Sequence, residues 1–129
     1  IETRSWDATR VDSSMHQKAD RVLVDVPCSG LGVIRRKPEI KYKEYDADIE
    51  LLPKKQLAIL SASASYVKPG GTLLYSTCTV NPRENERVVE RFLDKNPSFK
   101  KIERTLLLPN VNGTDGFFIC VMKKNDSLI

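Results

Sequence analysis

Residues 21–32 have the sequence RVLVDVPCSGLG, and the rest of the chain is best interpreted around this stretch. Positions 22–26 are apolar and mostly β-branched apart from Asp25, a pattern typical of a buried strand in a parallel sheet. Pro27 has no amide hydrogen and ends the ladder, and the two glycines that follow allow a sharp turn. Asp25 and Cys28 are therefore predicted at the carboxyl end of a strand, where open α/β sheets bind ligands.

The composition suits one small domain, since 129 residues with 40% hydrophobic side chains can build one modest core. The formal net charge of +4 slightly favours an anionic partner such as nucleic acid. Three cysteines at long, unequal spacings and one histidine argue against a disulfide framework and against a metal site. The chain has no apolar run of membrane-spanning length and no signal-peptide pattern, so we expect it in the reducing cytoplasm, away from membranes.

Periodicity and turn signals predict the other elements. They are a short strand at 1–5, a short helix within 13–18, a basic loop over 33–46, a helix over 48–68 stopped by Pro-Gly-Gly, a strand over 72–77, a helix capped by Asn81, a strand within 99–108 and a last strand over 117–123. This order predicts a doubly wound α/β domain with a mixed sheet whose last strand is antiparallel. Because no G-x-G-x-x-G loop is present, we interpret residues 1–129 as the carboxyl-terminal half of such a domain.

Two cysteines follow predicted strands, Cys28 after the first and Cys78 after the second. If these strands are parallel neighbours, their ends lie about 5 Å apart at one edge of the sheet. Two free thiols beside the Asp25 carboxylate suit nucleophilic chemistry, in which one thiolate attacks and other groups manage protons. A pyrimidine needs such a site, because its carbon-5 accepts a methyl group only after a thiolate adds to carbon-6 while a carboxyl group holds nitrogen-3.

Five ordered blocks resemble the S-adenosylmethionine-dependent RNA 5-methylcytosine methyltransferases of the Sun/Fmu type. The blocks are DVPCSG at 25–30, GVIRRKP at 32–38, KPGGTLLYSTCT at 68–79, ENE at 84–86 and DGFF at 115–118. The match extends from about Asp7 to the end of the chain, and residues 32–41 look closest to bacterial members that act on 16S ribosomal RNA. The resemblance implies a Rossmann-like methyltransferase fold, of which this chain is the carboxyl-terminal half, with S-adenosylmethionine as cofactor and ribosomal RNA as partner.

The resemblance also implies a role for each matching residue. Cys78 matches the nucleophile that bonds to carbon-6 of the target cytosine, and Cys28 matches the second cysteine, which assists release of the methylated RNA. Asp25 matches the carboxylate that contacts the cytosine ring, and Asp7 looks like the acid that hydrogen-bonds the cofactor adenine. Pro27 is expected to shape the cytosine pocket, and both Asp25 and Pro27 are expected beside the cofactor.

Motif chemistry alone leaves the two cysteines interchangeable, because in DNA cytosine-5 methyltransferases the Pro-Cys thiol is the attacking group. The block around Cys78 is absent from the DNA enzymes, and this resemblance assigns the attack to Cys78. In the basic loop, Arg35 and Arg36 are the candidates for contact with RNA phosphate.

The family's glycine-rich strand, its ribose-binding acid, its catalytic lysine and an RNA-binding domain have no counterpart in this sequence, which leaves the activity of the isolated chain open. Two other functions remain open as well. One is a noncatalytic RNA-binding or assembly module on a methyltransferase scaffold, and the other is a redox sensor in which Cys28 and Cys78 form a reversible disulfide. An exposed sheet edge beside residues 22–26 would favour self-association, and the oligomeric state is not predicted.

Overall fold

The computed structural model of the chain describes residues 1–30 and 47–126. In chain order its elements are a 3-10 turn at Ser13–Met15, β1 at Ala19–Asp25, α1 at Ala47–Ala64, β2 at Val67–Thr77, α2 at Glu86–Lys95, β3 at Phe99–Leu107, α3 at Pro109–Asn112 and β4 at Phe117–Lys124. The basic loop predicted over 33–46, with Arg35 and Arg36, lies outside the described residues. No helix in the described ranges is long and apolar enough to cross a membrane.

The four strands form one mixed sheet in the order β1-β2-β4-β3. β1 and β2 are parallel, and β4 pairs antiparallel with both β2 and β3. The predicted α/β class and the antiparallel last strand are therefore confirmed. Asp25 of β1 lies beside Ser76 of β2, so the carboxyl ends of these two strands meet at the same edge of the sheet.

The core lies between one face of the sheet and the helices α1 and α2. Alternate residues of β2 and β4 are buried against the helices, as expected for strands that cover one face of a core. The largest fully buried apolar side chains are Tyr75, Phe92 and Phe118. The rings of Tyr75 and Phe118 meet edge to face with centroids 6.2 Å apart, a favoured aromatic geometry.

The strand β1 is buried on one face only, which corrects the prediction of a fully buried strand. Val24 is 4% exposed, whereas Leu23, which points to the other face, is 68% exposed. The reason is that α1 and α2 pack on the face that carries Val24, and no described element covers the face that carries Leu23. β1 is also an edge strand of the sheet within the described residues. The predicted exposed edge is confirmed, while self-association through it stays a prediction.

The first long helix ends earlier than predicted. α1 stops at Ala64 instead of Lys68, and β2 begins at Val67, so the Pro-Gly-Gly of 69–71 lies inside a strand. The sheet accommodates this segment through an irregular register beside it. Ala19 of β1 pairs with Val67 of β2, but Arg21, two residues later, pairs with Thr72, so β2 has extra residues at this point.

Gly71 explains why this irregular strand is possible. A Cβ at Gly71 would lie 2.8 Å from the carbonyl oxygen of Asp20 and 2.8 Å from the side chain of Val67. The glycine therefore lets β1 and β2 approach each other closely at the irregularity.

Three other predictions were wrong. The strand predicted at 1–5 does not form, because no neighbouring strand in the described ranges offers these residues hydrogen bonds. The predicted helix within 13–18 is a single 3-10 turn capped by Asp12. α2 begins at Glu86, because the Asn81 side chain accepts the backbone N–H of Arg83 and closes a separate turn.

Candidate active site

The two cysteines predicted to meet are in contact. Their Sγ atoms lie 2.7 Å apart, and the backbone N–H of Cys78 also donates to the Cys28 Sγ at 3.3 Å. The cause is the parallel pairing, which continues one residue beyond β1 as the N–H of Val26 donates to the carbonyl of Ser76. Both cysteines are free thiols and half-buried. The site thus holds two thiols that can exchange a proton directly.

The Cys28 thiol is held in its protonated form. Burial, reinforced by the hydrogen bond with Cys78, raises the pKa of Cys28 to about 12. Because the thiolate is the nucleophilic form of cysteine, Cys28 is a poor nucleophile at neutral pH, and its retained S–H can donate a hydrogen bond to the neighbouring sulfur.

A buried glutamate holds the loop that carries Cys28. The Glu84 side chain is fully buried, and its Oε1 accepts the backbone N–H of Ser29 at 2.8 Å and the Nε2 of Gln56 at 3.1 Å. Its Oε2 accepts the Ser29 hydroxyl at 2.8 Å. Gln56 Nε2 also donates to the carbonyl of Pro27 at 2.9 Å. The residues on both sides of Cys28 are therefore fastened to the core.

The next residue, Asn85, does the same for the loop that carries Cys78. Thr77 donates its hydroxyl to Asn85 Oδ1 at 2.6 Å, and Asn85 Nδ2 donates to the carbonyl of Thr79 at 2.9 Å. All three residues are fully buried. The Ser29 and Thr79 hydroxyls are 2.9 Å apart and join the two loops. Cys78 is thus fixed from both sides as well.

Tyr75 ties this network to the core. Its hydroxyl donates to the backbone carbonyl of Glu84 at 2.6 Å, and both residues are fully buried. Burial, and to a smaller extent the Glu84 carboxylate, raises the pKa of Tyr75, so the hydroxyl stays a donor throughout the physiological range. The aromatic core of the sheet therefore sets the position of the turn that precedes α2.

Asp25 is exposed rather than buried, which corrects the environment expected from the sequence. It lies on the face of β1 that is open, and it accepts the Ser76 hydroxyl at 3.0 Å. The ring of Pro27 is exposed too, while its carbonyl is bound by Gln56. Both residues lie at the strand end next to the thiols, and their roles toward cytosine and cofactor stay predictions.

Asp7 lies in an irregular exposed segment. Its Oδ1 accepts the backbone N–H of Thr9 at 3.0 Å and the Thr9 hydroxyl at 2.6 Å, and these hydrogen bonds lower the pKa of Asp7. Its other partner is Arg10, at 3.8 Å. None of its contacts with the described residues reaches the thiol pair, so its expected role toward adenine stays a prediction.

Sequence reasoning missed the roles of three residues. The sequence predicts Glu84 as an acidic residue in the first turn of a helix and Asn85 only as part of a motif block, whereas both are buried anchors in the turn before α2. Gln56 gave no signal, because a polar residue on a helix is usually solvent-exposed. Within 1–30 and 47–126, no three His, Cys, Asp or Glu side chains are placed to bind a metal ion.

Comparison with known proteins shows the family. The chain matches the family model described as 16S rRNA methyltransferase RsmB/F over residues 1–123. It is 42% identical to the probable ribosomal RNA small subunit methyltransferase B of Bacillus subtilis, covering 96% of this chain and 32% of that protein. It is 43% identical to the protein of the same name from Synechocystis, covering 81% of this chain and 27% of that protein.

Among solved structures, the chain resembles NSun6 from Pyrococcus horikoshii, which was crystallised with SFG. The two are 31% identical with a TM-score of 0.73, and the match covers 83% of this chain and 30% of that one. The chain spans about a third of the length of the curated relatives it matches. The Rossmann-like methyltransferase fold expected from the motif blocks is confirmed, and the chain belongs to the 16S rRNA methyltransferase RsmB/F family.

Proposed function

We propose that this chain supplies the carboxyl-terminal half of the catalytic domain of an enzyme that methylates carbon-5 of a cytosine in 16S ribosomal RNA. The family and the names of the relatives support an rRNA methyltransferase. The observation that carries the finer proposal is the direct contact of the Cys28 and Cys78 sulfur atoms at the end of two parallel strands. A cytosine-5 methyl transfer needs a thiol that attacks and a second group that helps the first to leave.

In the proposed cycle Cys78 attacks and Cys28 manages the departure. The Cys78 sulfur bonds to carbon-6 of the cytosine, which makes carbon-5 nucleophilic. After carbon-5 has been methylated, it passes its proton to solvent water at this open edge. The electron pair of that C–H bond re-forms the carbon-5 to carbon-6 double bond, and the bond from carbon-6 to sulfur breaks, so that Cys78 leaves as a thiolate. The contact supports the leaving role of Cys28, because a protonated thiol 2.7 Å from the Cys78 sulfur can donate a hydrogen bond that stabilises the departing thiolate. The assignment of the attack to Cys78 rests on its motif block.

The exposed Asp25 carboxylate suits a contact with the cytosine ring. It lies on the open face of the sheet, and the hydrogen bond it accepts within the described residues comes from the Ser76 hydroxyl, at an exposed position. Asp25 can therefore turn to a ring nitrogen of the base without leaving a buried hydrogen-bond donor unpaired. The reacting base must reach this edge from outside, which requires a single-stranded or flipped-out nucleotide. Arg35 and Arg36 are proposed to contact the RNA phosphates, in the cytoplasm, where ribosomal RNA is found.

S-adenosylmethionine is the proposed cofactor, and when bound it supplies the methyl group. Asp7 and Asp25 are the residues of this chain that would hold it, with Pro27 beside them. These residues suit the cofactor, because both carboxylates are exposed and can accept hydrogen bonds from its adenine and amino groups. They form only part of a cofactor site. The glycine-rich loop expected in this class of fold is not among the 129 residues, which is why we assign this chain half of the catalytic domain.

The test is covalent trapping on RNA that contains 5-fluorocytosine, in the full-length protein that carries this chain. Fluorine at carbon-5 blocks proton loss, so the cysteine adduct persists and can be counted on a denaturing gel. We expect the wild type to form the adduct and Cys78→Ala to form none. A Cys120→Ala control, in which the third and fully buried thiol is removed, should still form it. An adduct with Cys78→Ala would refute the assignment of the nucleophile.

The thiol contact also suits a second candidate, a reversible disulfide between Cys28 and Cys78 that responds to peroxide. Mass spectrometry after mild peroxide treatment of the chain would show the loss of two hydrogens from a cross-linked peptide pair. Absence of this cross-link would remove the redox candidate.

A further inference from the structure

We infer that the consecutive residues Glu84 and Asn85 are positioning residues for the two cysteines, Glu84 for Cys28 and Asn85 for Cys78. The catalytic part of this inference rests on the proposed function, while the structural part stands without it.

The first step of the argument is the burial of the Glu84 carboxylate. Removing a carboxylate from water is costly unless hydrogen bonds replace the lost solvation. Here Ser29 provides two donors and Gln56 one, at 2.8 to 3.1 Å. The buried Glu84 side chain, with three hydrogen-bond donors around it, therefore fixes the positions of Ser29 and Gln56.

The second step is where those donors lie. Ser29 directly follows Cys28, and the Gln56 amide that binds Glu84 also binds the carbonyl of Pro27, which directly precedes Cys28. Glu84 thus holds the residue after the thiol directly, and it holds the residue before the thiol through Gln56. Loss of the carboxylate would loosen the Cys28 loop, which would keep the Gln56–Pro27 and Ser29–Thr79 hydrogen bonds.

The third step is that Asn85 holds the other loop in the same way. Its carboxamide accepts from the Thr77 hydroxyl and donates to the carbonyl of Thr79, the residues on either side of Cys78. Two consecutive side chains therefore each bracket one cysteine. Their shared backbone is anchored by the Tyr75 hydroxyl, so the distance between the two thiols depends on both.

These separate attachments predict opposite defects in the proposed reaction. Without Glu84, Cys78 is still held and can attack, but Cys28 no longer lies against it, so the RNA adduct forms and is released slowly. Without Asn85, the attacking thiol itself is misplaced, so the adduct forms slowly. General destabilisation would lower adduct formation in both variants and cannot produce this difference.

The first experiment measures thiol pairing in this chain without any reaction on RNA. The chain is equilibrated with reduced and oxidised glutathione, and the fraction with a Cys28–Cys78 disulfide is read by mass spectrometry. Each disulfide formed consumes one oxidised glutathione and yields two reduced ones. The effective concentration of one thiol at the other should fall about tenfold or more in Glu84→Ala, because three hydrogen bonds are lost and one or two already correspond to about tenfold.

Two variants control this measurement. Glu84→Gln keeps an acceptor for the Ser29 N–H and adds a donor for the Ser29 hydroxyl, so its effective concentration should stay within about threefold of the wild type. Glu90→Ala removes an exposed glutamate from α2, the helix that follows Glu84, and should leave pairing unchanged. Where Glu84→Ala does not fold, Ser29→Ala removes the hydroxyl bond to Glu84 together with the bond that joins Ser29 to Thr79, and it should also lower pairing. Unchanged pairing in both Glu84→Ala and Ser29→Ala would overturn the inference.

The second experiment counts protein–RNA adducts with unmodified RNA in the full-length protein. We expect adduct to accumulate in Glu84→Ala as in Cys28→Ala, to be restored to the wild-type level in Glu84→Gln, and to fall in Asn85→Ala. Adduct that accumulates in Cys28→Ala but falls in Glu84→Ala would overturn the inference and leave the proposed function standing. Absence of adduct in Cys28→Ala would instead refute the proposed function, and thiol pairing would then decide the positioning role alone.

Discussion

Replacing Tyr75 by Phe removes one hydroxyl from the centre of the molecule and tests whether the site depends on the core. The ring is fully buried and packs edge to face on Phe118, and this packing is the same for phenylalanine. What is lost is the hydrogen bond of 2.6 Å to the backbone carbonyl of Glu84, which is also buried. The variant therefore isolates one polar contact at nearly constant volume.

The expected loss follows from the environment of the carbonyl. A buried acceptor that loses its donor cannot recover a hydrogen bond from water, so the cost is about 1–3 kcal/mol of unfolding free energy. With a urea dependence of about 2 kcal/mol per molar for a domain of this size, the unfolding midpoint should fall by about 0.5–1.5 M.

The assay is urea unfolding of the chain followed by circular dichroism, with Tyr66→Phe as the matched control. The Tyr66 hydroxyl accepts the backbone N–H of Asp12 at 2.9 Å and donates to the carbonyl of Arg10 at 3.3 Å. Tyr66 is half-buried and Arg10 is exposed, so water can replace these bonds and the loss should be under about 1 kcal/mol. If Tyr75→Phe costs no more than Tyr66→Phe, the hydrogen bond to Glu84 does not anchor the site and the reasoning is wrong.

Two further predictions concern pH and backbone packing. Burial raises the pKa of Cys28 to about 12 and that of Cys120 to about 11, above the 9.0 of an exposed thiol, so the stability these thiols contribute is complete below pH 9 and is lost as the pH rises toward 12. The urea midpoint of unfolding should therefore fall as the pH is raised from 8 to 11. If the midpoint falls equally steeply with pH in the Cys28→Ser, Cys120→Ser double variant, the prediction is wrong. Gly71→Ala should cost about 1–3 kcal/mol, because its Cβ would lie 2.8 Å from the Asp20 carbonyl oxygen. A thermal midpoint equal to that of the wild type would show that the β1–β2 irregularity relaxes freely.

Much of the fold is determined by local sequence features. The apolar runs of β1, β2 and β4 and the amphipathic pattern of α2 are properties of short windows, because side chains alternate along a strand and recur every turn along a helix. The meeting of Cys28 and Cys78 follows from the same features, since two parallel neighbours bring their carboxyl ends to one edge. The motif blocks then indicate the family.

Only the tertiary structure decided how the site is held together. Glu84 binds Ser29, which lies 55 positions earlier in the chain, and Gln56 binds Glu84 across 28 positions. The exposure of Asp25 depends on which face of the sheet the helices cover, and the place of Gly71 inside β2 depends on the register between two strands. Periodicity is local and carries no information on which distant donor a buried polar group will meet. The sequence by itself therefore determined which strands end in thiols, and the three-dimensional packing determined what keeps those thiols in contact.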